Sequence, residues 1–263
     1  MEYTRLLTCL ADDQARLREV AALDLTAPVP SCPGWTVTSL VRHLAEVYLH
    51  KVYVMRHGEF PRDWPPDLAG EEPLALLDRA YGELTAEFGA HDPADRAMTF
   101  YRPDQTVGFW IRRMAQETVV HRIDGELATA QPLAPVPDDL AVDGVDEVLT
   151  VFLGYGSHRW HEEFAKNLAD TSGAAVRVAA GRGGPTGLTF EEAPPTGSWL
   201  VTPTPDGVDV VAGGGSSAAA TVSGPPEAVL RWLWGRGGDA RITVEGDPGA
   251  AAELRRLLVI ATQ

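Results

Sequence analysis

Glycine is spread unevenly along this chain, and the asymmetry limits its fold more than any single motif does. Of the 26 glycines, 16 fall after residue 172. A glycine in a helix interior costs about 1 kcal/mol relative to alanine, so the last third cannot be long helices and must be turns joining short elements. Before it the pattern is helical. Tyr3, Leu6, Leu7, Leu10, Leu17, Val20 and Ala21 mark one face of a first helix, with Gln14 as a polar interruption and Pro28, Pro30 and Pro33 beyond its end. Thr36, after Gly34-Trp35, caps a second helix running through Leu40, Val41, Leu44, Val47 and Tyr48 to about Arg56. A third carries Leu74, Leu77, Tyr81, Leu84 and Phe88, a fourth spans about 107–130 and a fifth about 140–168. Beyond them, β-type runs at 174–180, 198–202, 208–212, 218–222 and 241–245 alternate with turns, and helices fit 225–234 and 248–260. The predicted fold class is α plus α+β: a four-helix bundle with one further helix over 1–168, then a small α+β domain over 169–263.

Composition narrows the function. At 263 residues the chain can bury two cores without disulfides or metals. Its 22 Lys+Arg against 37 Asp+Glu leave a net charge of -15, which repels a phosphate backbone or an anionic membrane surface, so neither nucleic acid nor membrane is an expected partner. Lys51 and Lys166 are the only lysines and neither stands in a Gly-Lys-Ser/Thr sequence, which excludes a P-loop. No window approaches about 18 uninterrupted apolar residues, and the amphipathic start with early acids is unlike a signal segment. Cys9 and Cys32 are too few for a disulfide scaffold. A cytoplasmic protein is expected.

The fourth helix holds the feature that needs explaining. Arg113, Glu117, His121 and Asp124 share one face with Trp110, Met114 and Val120. Burying a carboxylate and an imidazole without partners costs several kcal/mol, so something must neutralise them. Glu117 and His121, four residues apart, can both face one cation, and His43 lies at the edge of the second helix's apolar stripe. Two imidazoles and one carboxylate are the ligand set of catalytic zinc sites, which keep a position open. The same spacing also allows exposed i, i+4 pairs among Arg113, Glu117 and His121. His158 and His161 form a rival pair without a third ligand nearby, and Cys32 reads as a nucleophile without a base or as a small buried hydrophobe. Asp124 either orients a ligand histidine or pairs with Arg113 or Arg122.

Ser31-Cys32-Pro33-Gly34-Trp35-Thr36-Val37 with Leu40-Val41-Arg42-His43-Leu44, and later Glu117-Thr118-Val119-Val120-His121-Arg122-Ile123-Asp124-Gly125-Glu126, resemble the two signature segments of the mycothiol-dependent maleylpyruvate isomerase family, a group of DinB-like metal-binding bundles. The segments from Pro225-Pro226-Glu227 to Gly235-Arg236, and Val244-Glu245-Gly246-Asp247, are similar to the sterol-carrier-like domain that follows that bundle. The resemblance implies that His43, Glu117 and His121 are metal ligands for a divalent ion such as zinc, with mycothiol as thiol cosubstrate. Trp35, Arg113 and Asp124 are expected to line the cofactor site. It also implies a substrate-holding arginine in the second domain, matched by Arg236 with Arg231 in reserve; the alternative for Arg236 is a pair with Asp239. The implied chemistry is attack by a metal-activated thiolate on a small electrophile, as a cis-trans isomerase or an S-transferase. The competing class is a non-catalytic protein, stapled by its metal, that binds a ligand or partner.

Overall fold

The computed structural model describes residues 1–181, 196–214, 217–237 and 239–262, without the side chain of Asp239; the glycines at 183, 184, 187, 215 and 238 lie outside these ranges. The chain forms two compact units, Met1–Ala134 and Pro135–Gln263, so it combines an N-terminal helical unit with a C-terminal α+β unit.

In the first unit α1 (Tyr3–Ala21), α2 (Val37–His57), α3 (Pro73–Gly89) and α4 (Val107–Ala128) form where the apolar spacing predicts them. Thr36 caps α2 through a reciprocal pair of hydrogen bonds with Ser39, and Gly58 ends it in the left-handed region at φ 68. Thr106 caps α4 by accepting from the Phe109 amide. α4 packs against both α1 and α2. At Gly125 the backbones come so close that a Cβ would stand 2.7 Å from Leu17 Cδ1.

Because α4 is covered on almost every side, its polar residues must be satisfied internally. Arg122, fully buried, donates to Asp13 Oδ1 at 2.9 Å, to Glu126 Oε2 at 2.7 Å and to the Ala134 carbonyl at 2.7 Å. Arg16 closes the network on Glu126 Oε1 at 2.9 Å. Burial pushes the Asp13 carboxyl up to about 6 even though Arg122 works in the other direction.

The second unit corrects one expectation. The single helix over 140–168 is four pieces: α5 (Asp138–Glu147), a π-helical stretch (Val148–Tyr155), α6 (Gly156–Arg159) and α7 (His161–Ala169). Trp160, at φ -120 and ψ 45, interrupts the helix before α7. These pieces fall in the second unit, which begins at Pro135. Helical periodicity cannot reveal this, because what ties the pieces to the second unit is tertiary. Trp199 Nε1 donates to Asp146 Oδ1 at 2.9 Å, and the Val208 amide donates to Ser157 Oγ at 2.8 Å.

The five-stranded sheet has the order β3-β2-β1-β4-β5, from β1 (Val176–Ala180), β2 (Gly197–Thr204), β3 (Gly207–Ala212), β4 (Ala220–Gly224) and β5 (Thr243–Gly246). β1 and β4 pair in parallel, Val178 opposite Val222, and the other pairs are antiparallel. α8 (Pro226–Leu233) and α9 (Pro248–Ala261) pack on β1 and β4 over Val176, Val178 and Val222. Among the described residues, no helix is long and apolar enough to cross a membrane.

Candidate metal centre

The site sits in the seam between α2 and α4. Counting from the Thr36 cap, His43 is two turns into α2 and faces α4, where Glu117 and His121 lie one above the other at i, i+4. His43 Nε2 is 3.4 Å and His121 Nε2 3.3 Å from the same oxygen, Glu117 Oε1. All three atoms lie within 4.8 Å of one another. A tetrahedral shell with bonds of about 2.0–2.1 Å has edges of about 3.3–3.4 Å, so the donor set fits a small divalent cation. Among the described residues this is the one such cluster of three.

The surrounding groups set the charge and the orientation of the ligands. Arg113 Nη2 donates to Glu117 Oε2 at 2.6 Å, leaving Oε1 to face the imidazoles. Burial would raise the Glu117 carboxyl, but Arg113, then His121 and His43, hold it well below the usual carboxylate range. His121 Nδ1 donates to Asp124 Oδ2 at 3.0 Å, which aims Nε2 at the cluster as the nitrogen that would ligate. Burial alone would lower the pKa of His121; its hydrogen bonds to Asp124 and Glu117 raise it to about 9, so without a cation the ring is protonated, and a cation that binds at Nε2 displaces that proton. Asp124 is fully buried and also accepts from Ser31 Oγ, while Cys32 Sγ lies 3.9 Å from its Oδ2. Asp124 bonds His121, while Arg113 bonds Glu117 and Arg122 bonds Asp13 and Glu126.

Trp35 forms one wall, its ring 4.9 Å from His43 and stacked at 6.4 Å from His121. The turn that places it is short: Gly34 takes φ 84, the Trp35 amide donates to the Cys32 carbonyl, and the Val29 amide to that of Trp35. The same turn brings Ser31 and Cys32 to Asp124, so Cys32 is half-buried beside the site and not in a core.

Other candidates fall elsewhere. His158 Nε2 is 3.5 Å from Asp209 and His161 Nε2 is 2.9 Å from the Pro205 carbonyl; among the described residues they do not converge with a third ligand. Arg236 is in the second unit, where it donates to the Trp234 carbonyl at 2.7 Å and lies 5.7 Å over that indole, while its own carbonyl accepts from Arg231 Nε. The alternative partner, the side chain of Asp239, is outside the described residues. Lys51, two turns beyond His43 on α2, is a residue that motif reasoning passes over. Its ammonium lies 5.0 Å over the Trp110 ring and 3.2 Å from His50 Nδ1. The available signal was its rarity: one of two lysines in the chain, placed on α2 among Leu49, Val52 and Val54.

Comparisons with known proteins agree with this geometry. The family described as mycothiol maleylpyruvate isomerase N-terminal domain matches residues 7–125, and the corresponding C-terminal domain matches 139–253. The crystal structure of a mycothiol-dependent maleylpyruvate isomerase is 14% identical, with a TM-score of 0.59 and 93% of each chain covered. A histidine-to-alanine mutant of a protein so described superposes with a TM-score of 0.58 at the same identity and coverage. At this identity the likeness is one of fold. No curated protein sequence matches the chain.

Proposed function

Because this chain belongs to the mycothiol maleylpyruvate isomerase family, we propose that it is a metal-dependent enzyme that uses mycothiol to attack a small electrophile. The observation that carries this reading is the convergence of His43 Nε2, Glu117 Oε1 and His121 Nε2 in the α2/α4 seam. A divalent cation held there, with zinc the best match to the ligand set, supplies Lewis acidity that lowers the pKa of a thiol so that the thiolate forms near neutral pH.

The chain's own residues do the rest. Arg113 keeps Glu117 anionic and limits it to one ligating oxygen. Asp124 fixes the tautomer and the orientation of His121. Trp35 walls one side of both imidazoles, leaving an apolar surface against which a thiol cosubstrate can lie. Arg236 is proposed as the second unit's contact to an anionic substrate.

In the isomerase outcome, addition of the thiolate to a conjugated cis double bond moves the electron pair onto the conjugated carbonyl oxygen. The former double bond rotates, the pair returns, the carbon–sulfur bond breaks, and the trans product leaves with the thiol regenerated. In the transferase outcome the adduct is protonated and released as a thioether. The ligands are the same in both. The reading places the reaction in the cytoplasm.

The test combines elemental analysis with calorimetric titration of mycothiol and of a simpler thiol lacking its sugar portion. One divalent ion per chain, absent from His121→Ala, and mycothiol binding that disappears with the metal are expected. Stoichiometric metal in His121→Ala, or thiol binding indifferent to metal, overturns the proposal.

A further inference from the structure

The neighbourhood of Lys51 carries an inference that deepens the proposed function and rests on it. α2 and α4 run antiparallel, pairing His43 with Glu117 at one level and Lys51 with Trp110 at another. Lys51 follows His43 by eight residues and Trp110 precedes Glu117 by seven, so at 1.5 Å per residue their backbone positions lie about 10–12 Å along the same seam from those of the ligands. Of its three N–H donors, one points to His50 Nδ1 at 3.2 Å, and the Trp110 ring covers another direction. Among the described residues no carboxylate pairs with it.

Lys51 is half-buried, and an ammonium drawn partly out of water without a carboxylate partner is costly, which makes such a lysine a candidate for binding a ligand. Burial lowers its pKa to about 8, with Glu117 raising and Arg113 lowering it, so it remains mostly charged at neutral pH. His50 cannot compensate: burial, then the charge of Lys51, pushes its imidazole down to about 4, so it stays neutral and accepts. Arg113, the other cation in the seam, is already committed to Glu117. His50 is itself held by Trp64 and Phe60, at ring distances of 5.2 and 6.0 Å, so the loop after α2 braces the residue beside Lys51.

We propose that Lys51 is a specificity residue that binds a carboxylate of the electrophile, so that the enzyme selects small acidic substrates whose reactive carbon lies toward the metal centre. The ion pair completes the coordination that His50 and Trp110 leave unfinished and orients the substrate along the seam. No covalent role is assigned to it.

The experiment uses metal-loaded protein labelled with ¹³Cε-lysine, which gives two lysine signals, assigned through Lys166→Arg. Maleate, a small dicarboxylate without the reactive carbonyl, is the probe. It should shift the Lys51 signal and raise its titration midpoint by about one unit while leaving Lys166 unchanged. Lys51→Met should bind maleate about tenfold more weakly and lower kcat/KM for an acidic electrophile by at least a similar factor, with metal content retained; Lys51→Arg should recover most of the loss. A Lys51 signal that saturating maleate does not move overturns the proposal, as does a folded, metal-loaded Lys51→Met that binds maleate like the parent. The signal test is made on the unmutated chain, so it holds even if the variant does not fold. Mycothiol that fails to bind while maleate moves Lys51 would overturn the thiol reading and leave the carboxylate assignment standing.

Discussion

Replacing Asp124 by asparagine tests whether His121 is a ligand that needs an orienting anion. The carboxylate accepts from His121 Nδ1 at 3.0 Å and from Ser31 Oγ, and it is fully buried. In Asp124→Asn the amide oxygen can keep the imidazole bond while the amide nitrogen turns to Ser31, whose hydroxyl can accept, so the geometry survives and the charge is lost. A hydrogen bond to an ionised partner contributes about 1.5–3 kcal/mol and a neutral one about 0.5–1.5. The exchange therefore costs about 1–1.5 kcal/mol, or about tenfold in the metal dissociation constant, at the lower end of what loss of such an orienting partner does to metal sites. Competition against a chromophoric chelator of known affinity measures it directly. The expected result is about tenfold weaker binding with one ion per chain still reached at saturation. Unchanged affinity would refute the orienting role, and complete loss of the site would show that Asp124 holds the fold, not the ligand.

Two further outcomes concern stability. The Asp13 carboxyl is raised from 3.8 to about 6, so the stability it contributes is fully present below pH about 4 and is lost as pH rises through about 6. Two units correspond to about 3 kcal/mol at most; urea unfolding of the parent relative to Asp13→Asn should fall by up to that amount between pH 4 and 7, and a flat difference would remove Asp13 as the cause. In the second unit, Gly246 holds φ 83, and an added Cβ would collide with the Ala219 carbonyl oxygen. Gly246→Ala should therefore cost about 3 kcal/mol or more, read as a lower midpoint in thermal unfolding, and an unchanged midpoint would show that the β4–β5 pairing relaxes around it.

What the sequence discloses follows from the range of the interactions involved. α1 to α4 are local objects: an apolar stripe, a threonine cap and a terminating glycine or proline lie within a few residues of each other, so their positions are readable. The triad is readable because Glu117 and His121 share a helix face, and His43 needs only the second helix to be present. The role of Asp124 is not, since His121 and Arg122 both lie within three residues of it in the chain. It takes Asp13, more than a hundred residues earlier, to occupy Arg122 and leave Asp124 to the histidine. The break at Trp160 is hidden for the same reason. Nothing in the local composition forbids a continuous helix, and the contacts of α5 and α6 with β2 and β3 are made by residues far along the chain. Lys51 is concealed differently, since a lone lysine on a helix is ordinarily a solvated one, and only the Trp110 ring above it reveals that this one is not.

The two capping threonines have a consequence for how the chain can change length. His43 stands seven positions after Thr36, and Glu117 and His121 stand eleven and fifteen after Thr106. Each helix position turns by about 100°. A single residue inserted or deleted between Thr36 and His43 would therefore swing the imidazole a quarter turn or more away from α4, while the same event within 59–72 leaves every ligand where it is. Insertions and deletions are thereby barred from two short intervals, 36–43 and 106–121, and the connections around them are free to lengthen, shorten and acquire new contacts.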